Sequence, residues 1–171
     1  MDVTELSYSA REPHAPSSFT AFGSGNLTVA RDGGGSRVQC AALPWRRGPH
    51  GVEVLLITSR ETRRWVIPRG GREPLESPSK AAAREAFEEA GVKGKVRRLP
   101  IGVYEFDKRL KGGRLQRVLV TVYPLAVKRE LHIWPEKRER ERQWMEPKAA
   151  AASVDEPELK AMIAQFNPEK R

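Results

Sequence analysis

The clearest hydrophobic pattern in the chain is the run from Leu115 to Val127. Within it, Val118, Val120 and Val122 alternate with Leu119, Thr121 and Tyr123. Alternation at this period predicts a β-strand, and here both faces of the strand are largely apolar. Strands of that kind are covered on both sides. We therefore expect this strand at the centre of a sheet.

Shorter β-rich segments lie on both sides of this run. Strands are predicted over 37–45, 52–58, 65–68, 96–106 with a break near Gly102, and 143–145. Residues 46–51 form a turn between the first two strands, and Gly112-Gly113 form the turn before the central strand. The chain thus supplies enough strands for one sheet.

Two segments have the period of a helix. The first begins after Ser77, a residue suited to the N-cap, with Pro78 at the first helical position, and it ends at Gly91, a left-handed C-cap. The second is predicted over Pro157–Phe166, capped by Asp155 with Glu158, and its apolar residues are Leu159, Met162, Ile163 and Phe166. One helix in mid-chain and one at the end predict an α/β fold, with helices on opposite faces of a mixed β-sheet.

One face of the first helix is acidic. Glu85, Glu88 and Glu89 fall within an arc of about 100°. The apolar face is expected on the opposite side, at Ala83, Ala86, Phe87 and Ala90. Like charges at positions i and i+4 destabilise a helix by a few tenths of a kcal/mol. Clustered carboxylates suit a cation such as Mg²⁺, and a solvated charged face is the ordinary alternative.

The spacing around this helix resembles the Nudix box. Gly70 is followed at fixed intervals by Glu76, Arg84-Glu85, Glu88-Glu89 and Gly91-Val92. Seven identities over 22 positions carry the resemblance, and Ala86 departs from it because the family usually has a bulkier aliphatic residue there. The resemblance implies a Nudix-type α/β/α sandwich and a hydrolase of pyrophosphate linkages.

The resemblance also implies roles for individual residues. Glu85 and Glu89, assisted by the carbonyl of Gly70, are expected to bind Mg²⁺, with Mn²⁺ as a substitute. Glu88 is expected to be a further ligand or the catalytic base. Arg84 joins it as a catalytic residue that orients a glutamate.

Size and composition are consistent with this interpretation. The 171 residues suffice for one domain with a core, and the single cysteine excludes an internal disulfide. No apolar run approaches the length of a membrane span, and the N-terminus lacks the pattern of a secretory signal. We expect a soluble, cytoplasmic protein without a membrane partner.

The chain divides into three parts by composition. Residues 1–36 are rich in Ser, Gly, Ala and Pro, and we expect a mobile leader. Residues 37–167 are expected to form the Nudix domain, and 168–171 a short tail.

Positive charge suggests the kind of substrate. The formal net charge of +9 suits a polyanionic ligand. The segments 63–71, 88–96 and 138–145 resemble the diphosphoinositol polyphosphate phosphohydrolase branch of the Nudix family. We expect the substrate phosphates to be bound by Arg37, Arg60, Arg69, Lys108, Arg109 and Lys111. The charged segment 128–142 is interpreted as a mixed surface.

The favoured function is metal-dependent hydrolysis of diphosphoinositol polyphosphates or diadenosine polyphosphates. The enzymatic alternatives are an RNA 5′-pyrophosphohydrolase and a nucleotide-sugar or ADP-ribose hydrolase. A catalytically silent Nudix module that binds nucleic acid is the third reading. The intact Glu85, Glu88 and Glu89 argue against it, so nucleic acid is not the favoured partner.

Overall fold

The computed structural model describes residues 37–169, so the expected leader 1–36 lies outside the described residues, as does the end of the tail. This part of the chain forms eight strands and three helices. In chain order they are β1 (Arg37–Gly48), β2 (Gly51–Thr58), β3 (Trp65–Val66), β4 (Arg69–Gly70), α1 (Pro78–Ala90), β5 (Val92–Val96), β6 (Gly102–Arg109), β7 (Leu115–Glu130), β8 (Arg142–Met145), α2 (Pro147–Ser153) and α3 (Pro157–Ala164).

All eight strands belong to one mixed sheet. Its main path runs β3-β2-β1-β7-β5, while β4 pairs with β1, β6 with β7 and β8 with β2. Strands β1 and β7 are parallel, and the other six pairings are antiparallel. Strand β7 has three partners, which confirms that the alternating run lies at the centre of a mixed sheet.

The sheet separates two hydrophobic layers, as alternate residues of β1 show. Ala41 and Leu43 pack on the side of α2 and α3, whereas Cys40 and Ala42 pack on the side of α1. Successive side chains of a strand point to opposite faces, so one strand contributes to both cores. The expected α/β/α sandwich is confirmed.

Helix α1 has the expected bounds but buries a different face. Its buried residues are Ser79, Ala81, Ala82, Glu85, Ala86, Glu89 and Ala90. Ala83 and Phe87 are only half-buried, so the expected separation of an apolar face from an acidic face was wrong. The small alanines let the helix lie close to the sheet. As a result, Glu85 and Glu89 are buried between the helix and the rest of the protein.

The C-terminal end of α1 is held by residues from a distant segment. Gly91 is left-handed (φ 65°, ψ 32°), and a Cβ atom built on it would lie 2.6 Å from the ring of Trp134. Arg142 stacks on the same ring, 4.1 Å from its centroid, and donates to the carbonyl oxygen of Ala90 at 2.6 Å. The interpretation of 128–142 as a mixed surface was therefore wrong for Arg142.

The C-terminal part differs from the expectation in two ways. Helix α2 was not expected, because its alanines show no hydrophobic period. The N-cap of α3 is Glu156, whereas Asp155 accepts a hydrogen bond from Arg64 at 2.8 Å, so the expected cap was wrong.

Several element boundaries also differ. Strand β1 continues to Gly48 and β2 begins at Gly51, which shortens the turn between them. Only Trp65 and Val66 of the extended piece 65–68 form a strand, β3, which pairs with β2. Strand β4 begins after this piece, at Arg69, and pairs with β1. None of the helices described is long and apolar enough to cross a membrane.

Candidate active site

Two carboxylates of α1 meet the chain at strand β4. The backbone N–H of Arg69 donates to Oε2 of Glu89 at 3.0 Å. The carboxylate of Glu85 fills the space next to Gly70, where a Cβ atom would lie 2.1 Å from Oε1 of Glu85. Gly70 is fixed in place because it pairs with Cys40 of β1. The fold thus brings together the three positions expected to bind metal.

Arg84 connects the loop before α1 to the carboxylates. Its guanidinium donates to Glu76 Oε2 at 3.1 Å, to Glu85 Oε1 at 2.8 Å, to Glu88 Oε2 at 3.1 Å and to the carbonyl oxygen of Gly71 at 2.8 Å. These contacts engage both terminal nitrogens of the guanidinium. Arg84 is placed to orient the glutamates rather than to contact a substrate.

Arg140 approaches Glu89 from the other side. It forms an ion pair with Glu89, and the side chains of Arg140 and Glu89 are only 7% and 9% exposed. It also donates to Glu136 at 2.6 Å and to the carbonyl oxygen of Thr58 at 3.0 Å. Arg140 was expected on a mixed surface, which was wrong. The alternating charges of 138–142 gave no signal that one arginine points inward.

Burial changes the acidity of the carboxylates. Desolvation raises the pKa of Glu89 to about 7, although Arg140 and the N–H of Arg69 act against it. Desolvation also raises the pKa of Glu85, against the effect of Arg84. The pKa of Glu76 is lowered, chiefly by its hydrogen bond from Arg84. Charge at Glu85 and Glu89 is therefore costly unless a cation lies beside them.

The oxygen atoms of the site can be compared with the ligands that a divalent cation prefers. Glu85 and Glu89 supply hard oxygen atoms, and such atoms suit Mg²⁺ or Mn²⁺. In residues 37–169, no three His, Cys, Asp or Glu side chains are grouped closely enough to share an ion. Arg84 and Arg140 supply the positive charge instead. The donor chemistry of Glu85 and Glu89 fits a divalent ion.

Arg69 extends the site across the sheet. Its Nη1 donates to the hydroxyl oxygen of Tyr104 at 3.0 Å, and its guanidinium lies 4.1 Å from the centroid of the Phe106 ring. Burial raises the pKa of Tyr104 to about 12, so this hydroxyl stays protonated. Tyr104 was not expected near the site, because its place on β6 depends on pairing with Val120 of β7.

The other expected phosphate-binding residues are more dispersed. Arg37 lies opposite Val118, and a Cβ atom on Gly71 would be 3.9 Å from its Nη2. Arg60 is held by Glu139 at 3.2 Å and lies 3.9 Å from Glu136. The exposed end of the β6–β7 hairpin carries Lys108, Arg109 and Lys111. No contact joins these three to Glu85 or Glu89 among the residues that the structure describes.

The fold and the site define the class of protein. It is a three-layer α/β protein in which the buried glutamates of helix α1 lie against strand β4. The chain belongs to the NUDIX family, because the NUDIX domain model matches residues 37–166. The expected family is confirmed.

Individual relatives give the same result. Nudix hydrolase 12, mitochondrial, from Arabidopsis thaliana is 42% identical over 104 residues, which are 58% of this chain and 50% of that protein. Diphosphoinositol polyphosphate phosphohydrolase 3-beta from Homo sapiens is 39% identical over 121 residues, 70% of each chain. The chain thus spans about half the length of the plant relative it matches.

A solved structure supports the fold. A Caenorhabditis elegans Ap4A hydrolase in a binary complex superposes with a TM-score of 0.57 at 21% identity, covering 76% of this chain and 94% of that one. At this identity the similarity concerns the fold alone.

Proposed function

We propose that this protein is a phosphoanhydride hydrolase that cleaves pyrophosphate linkages with the help of a divalent ion, Mg²⁺ or Mn²⁺. One observation carries the proposal. Taken as whole residues, Glu85 and Glu89 are 8% and 7% exposed, and they lie on adjacent turns of α1, Glu85 beside Gly70 and Glu89 beside Arg69. Two carboxylates buried side by side, each already paired with an arginine, form a cluster of hard oxygen atoms of the kind that binds a divalent cation.

The proposed roles follow from the contacts of each residue. Glu85 and Glu89 hold the ion, and Arg84 fixes the carboxylate of Glu85 from the side of the loop. Glu88 is the proposed base, because its side chain is 37% exposed and water reaches it. A bound divalent ion lowers the pKa of water and neutralises phosphate oxygens. Protein groups then serve mainly to position the phosphates and offset their charge.

The proposed substrates carry several phosphates. Arg37 and Arg69 lie near the loop of Gly70 and Gly71, and guanidinium groups bind phosphate oxygens in pairs. The similarity to a human diphosphoinositol polyphosphate phosphohydrolase favours diphosphoinositol polyphosphates, with diadenosine polyphosphates as further substrates. The cytoplasmic location stays a prediction, which fluorescence imaging of the tagged full-length chain tests.

A substrate panel tests the proposal. The full chain is incubated with Mg²⁺ and a diphosphoinositol polyphosphate, a diadenosine polyphosphate, ADP-ribose or RNA with a 5′-triphosphate. We expect turnover of the first two, and loss of turnover with excess EDTA. Glu89→Gln should lower kcat by about a hundredfold or more, since it removes an anionic ligand. The matched control is Glu158→Gln, an equal change at an exposed position of α3.

The results separate the parts of the proposal. Turnover that persists in EDTA contradicts the role of the ion. A preference for ADP-ribose or RNA contradicts the substrate class but retains the hydrolase. Equal activity of Glu89→Gln and Glu158→Gln contradicts the ligand assignment.

A further inference from the structure

A second concave surface lies away from the glutamates. It is a groove of about 1070 Å³ between the segment Lys95–Ile101 and the C-terminal end of α3. Trp45 and Ala126, neighbours in the β1–β7 pairing, form its floor. They also line an adjoining cavity of about 330 Å³ next to Lys128. The two cavities therefore form one continuous surface, which we call the Trp45 groove.

The Trp45 groove is basic. Lys95, Arg97 and Arg98 line the larger cavity, and Arg46, Arg47 and Lys128 line the smaller one. No acidic side chain in 37–169 lines either cavity. Arg97 donates to the carbonyl oxygen of Pro168 and so holds the wall of the groove in place. Such a surface attracts an anion, although three glutamates lie beside Arg46 and Arg47.

Three of these cations are available to a ligand. Lys95, Arg98 and Lys128 are exposed, and none of them has a salt bridge to an acidic residue of the described segment. Arg46 and Arg47 differ, because they pair with Glu53 and Glu169. The free positive charge thus lies on both sides of Trp45.

The groove also has an aromatic wall. The rings of Trp45 and Phe166 meet edge to face, with centroids 6.1 Å apart and planes at 61°. Both residues are only half-buried. Aromatic rings between cations bind bases by stacking while the cations bind phosphates. A simple inorganic anion would make no use of the rings.

This surface is distinct from the candidate active site. The Trp45 groove and the candidate active site share no residues. The part of β1 next to the active site is Cys40 and Ala41, which pair with β4. Trp45 is four residues beyond Ala41, or about 13 Å along a strand. A ligand in the Trp45 groove therefore need not occupy the site at Glu89.

We propose that the Trp45 groove binds a nucleotide unit, with its base against Trp45 and Phe166 and its phosphate on Lys95 and Arg98. The unit is either a free nucleotide or one residue of a single-stranded nucleic acid. Lys128 lies where the phosphate of a neighbouring unit would continue along the groove. This binding is independent of the hydrolysis proposed above.

Fluorescence anisotropy of a labelled ten-residue oligoadenylate tests the proposal on the full chain in EDTA. Lys95→Glu with Arg98→Glu should weaken binding by about tenfold or more and reduce the salt dependence. The matched control is Lys148→Glu with Lys160→Glu, the same charge change at exposed positions of α2 and α3. An equal loss in both double variants overturns the proposal, since it indicates attraction by net charge alone.

A second variant tests the aromatic wall. Phe166→Leu keeps an apolar side chain against Trp45 but removes the ring, and it should weaken binding by roughly threefold to tenfold. Unchanged binding, with an unchanged unfolding midpoint, overturns the stacking assignment. Competition by ATP supports a free nucleotide, and competition by unlabelled oligoadenylate alone supports a strand. Tripolyphosphate that competes as well as ATP overturns a nucleotide ligand.

The active-site variant Glu89→Gln separates this proposal from the hydrolase proposal. It should lose turnover yet bind oligoadenylate as the unmodified chain does. If it loses binding as well, the strand occupies the site at Glu89 and the Trp45 groove is overturned. If the unmodified chain turns over no substrate of the panel while binding responds to Lys95 and Arg98, the hydrolase assignment fails and the groove stands.

Discussion

Arg140 and Glu89 form an ion pair in which both side chains are more than nine-tenths buried. The pair joins α1 to the segment before β8, residues separated by 51 positions. Two desolvated charges stabilise a fold only while each has its partner. Removing one partner leaves the other charge buried without compensation.

We therefore predict that Arg140→Met lowers the free energy of unfolding by about 3 kcal/mol. Urea unfolding at pH 7.5 in EDTA measures this change. The double variant Arg140→Met with Glu89→Gln should recover a large part of the loss, because it removes both charges. If the two single effects simply add in the double variant, Arg140 and Glu89 are not coupled, and the ion pair makes no contribution.

Gly70 and Gly71 provide a matched pair of substitutions. A Cβ atom on Gly70 would lie 2.1 Å from Oε1 of Glu85, whereas on Gly71 its nearest neighbour is Nη2 of Arg37 at 3.9 Å. Gly70→Ala should displace the Glu85 carboxylate and reduce kcat by about tenfold or more, since metal and substrate geometry tolerate little displacement. Gly71→Ala should retain most of the activity. Steady-state kinetics with Mg²⁺ would contradict this if the two variants behaved alike.

The hydrogen bonds between Glu76 and Arg84 predict a dependence of stability on pH. The folded-state pKa of Glu76 is below its ordinary value of 4.5, so the interaction stabilises the fold above pH 4.5 and is lost as pH falls through the folded-state pKa. Glu76→Gln should lower the free energy of unfolding by about 1 kcal/mol at pH 7.

Urea unfolding of both proteins from pH 7 to pH 3 checks this prediction. The difference between them should begin to shrink below pH 4.5, where Glu76 is protonated in the unfolded chain, and should be lost as pH falls through the folded-state pKa of Glu76. Other carboxylates titrate equally in both proteins and leave the difference unaffected. A difference that stays constant down to pH 3 would show that charge on Glu76 is unimportant.

The sequence predicts much of the fold because its signals are local. Gly91 is the clearest case: only a residue that tolerates a positive φ suits that position, and the helix ends there. The alternation around Val120 likewise predicts a central strand. Helix α2 escapes prediction because a run of alanines has no hydrophobic period, although alanine favours a helix and α2 packs against β2 and α3.

The sequence predicts only those parts of the candidate site whose residues lie close together along the chain. Glu85 and Glu89 belong to one helix, so sequence distance gives their relative position. Arg140 and Tyr104 reach the site from elements far along the chain, and nothing in their neighbourhood indicates burial. The face of α1 was mistaken for the same reason, since burial of a glutamate depends on Arg140 and on the backbone of Arg69.

The β6–β7 hairpin tests the proposed recognition of phosphates. Lys111 lies in its turn, Arg109 pairs with Leu115 beside it, and both residues are exposed. Charges that make no contact with Glu85 or Glu89 contribute to the binding of a large polyanion, but they contribute little to the binding of a substrate with two phosphates. Lys111→Ala and Arg109→Ala should each raise KM about threefold to tenfold for a diphosphoinositol polyphosphate, with kcat unchanged. The KM for ADP-ribose, where it is turned over at all, should change by less than about twofold.

Arg138→Ala, at an exposed position of another segment, is the control for net charge. If Arg138→Ala raises KM as much as Lys111→Ala, the hairpin acts through general surface charge and not through contact with the substrate.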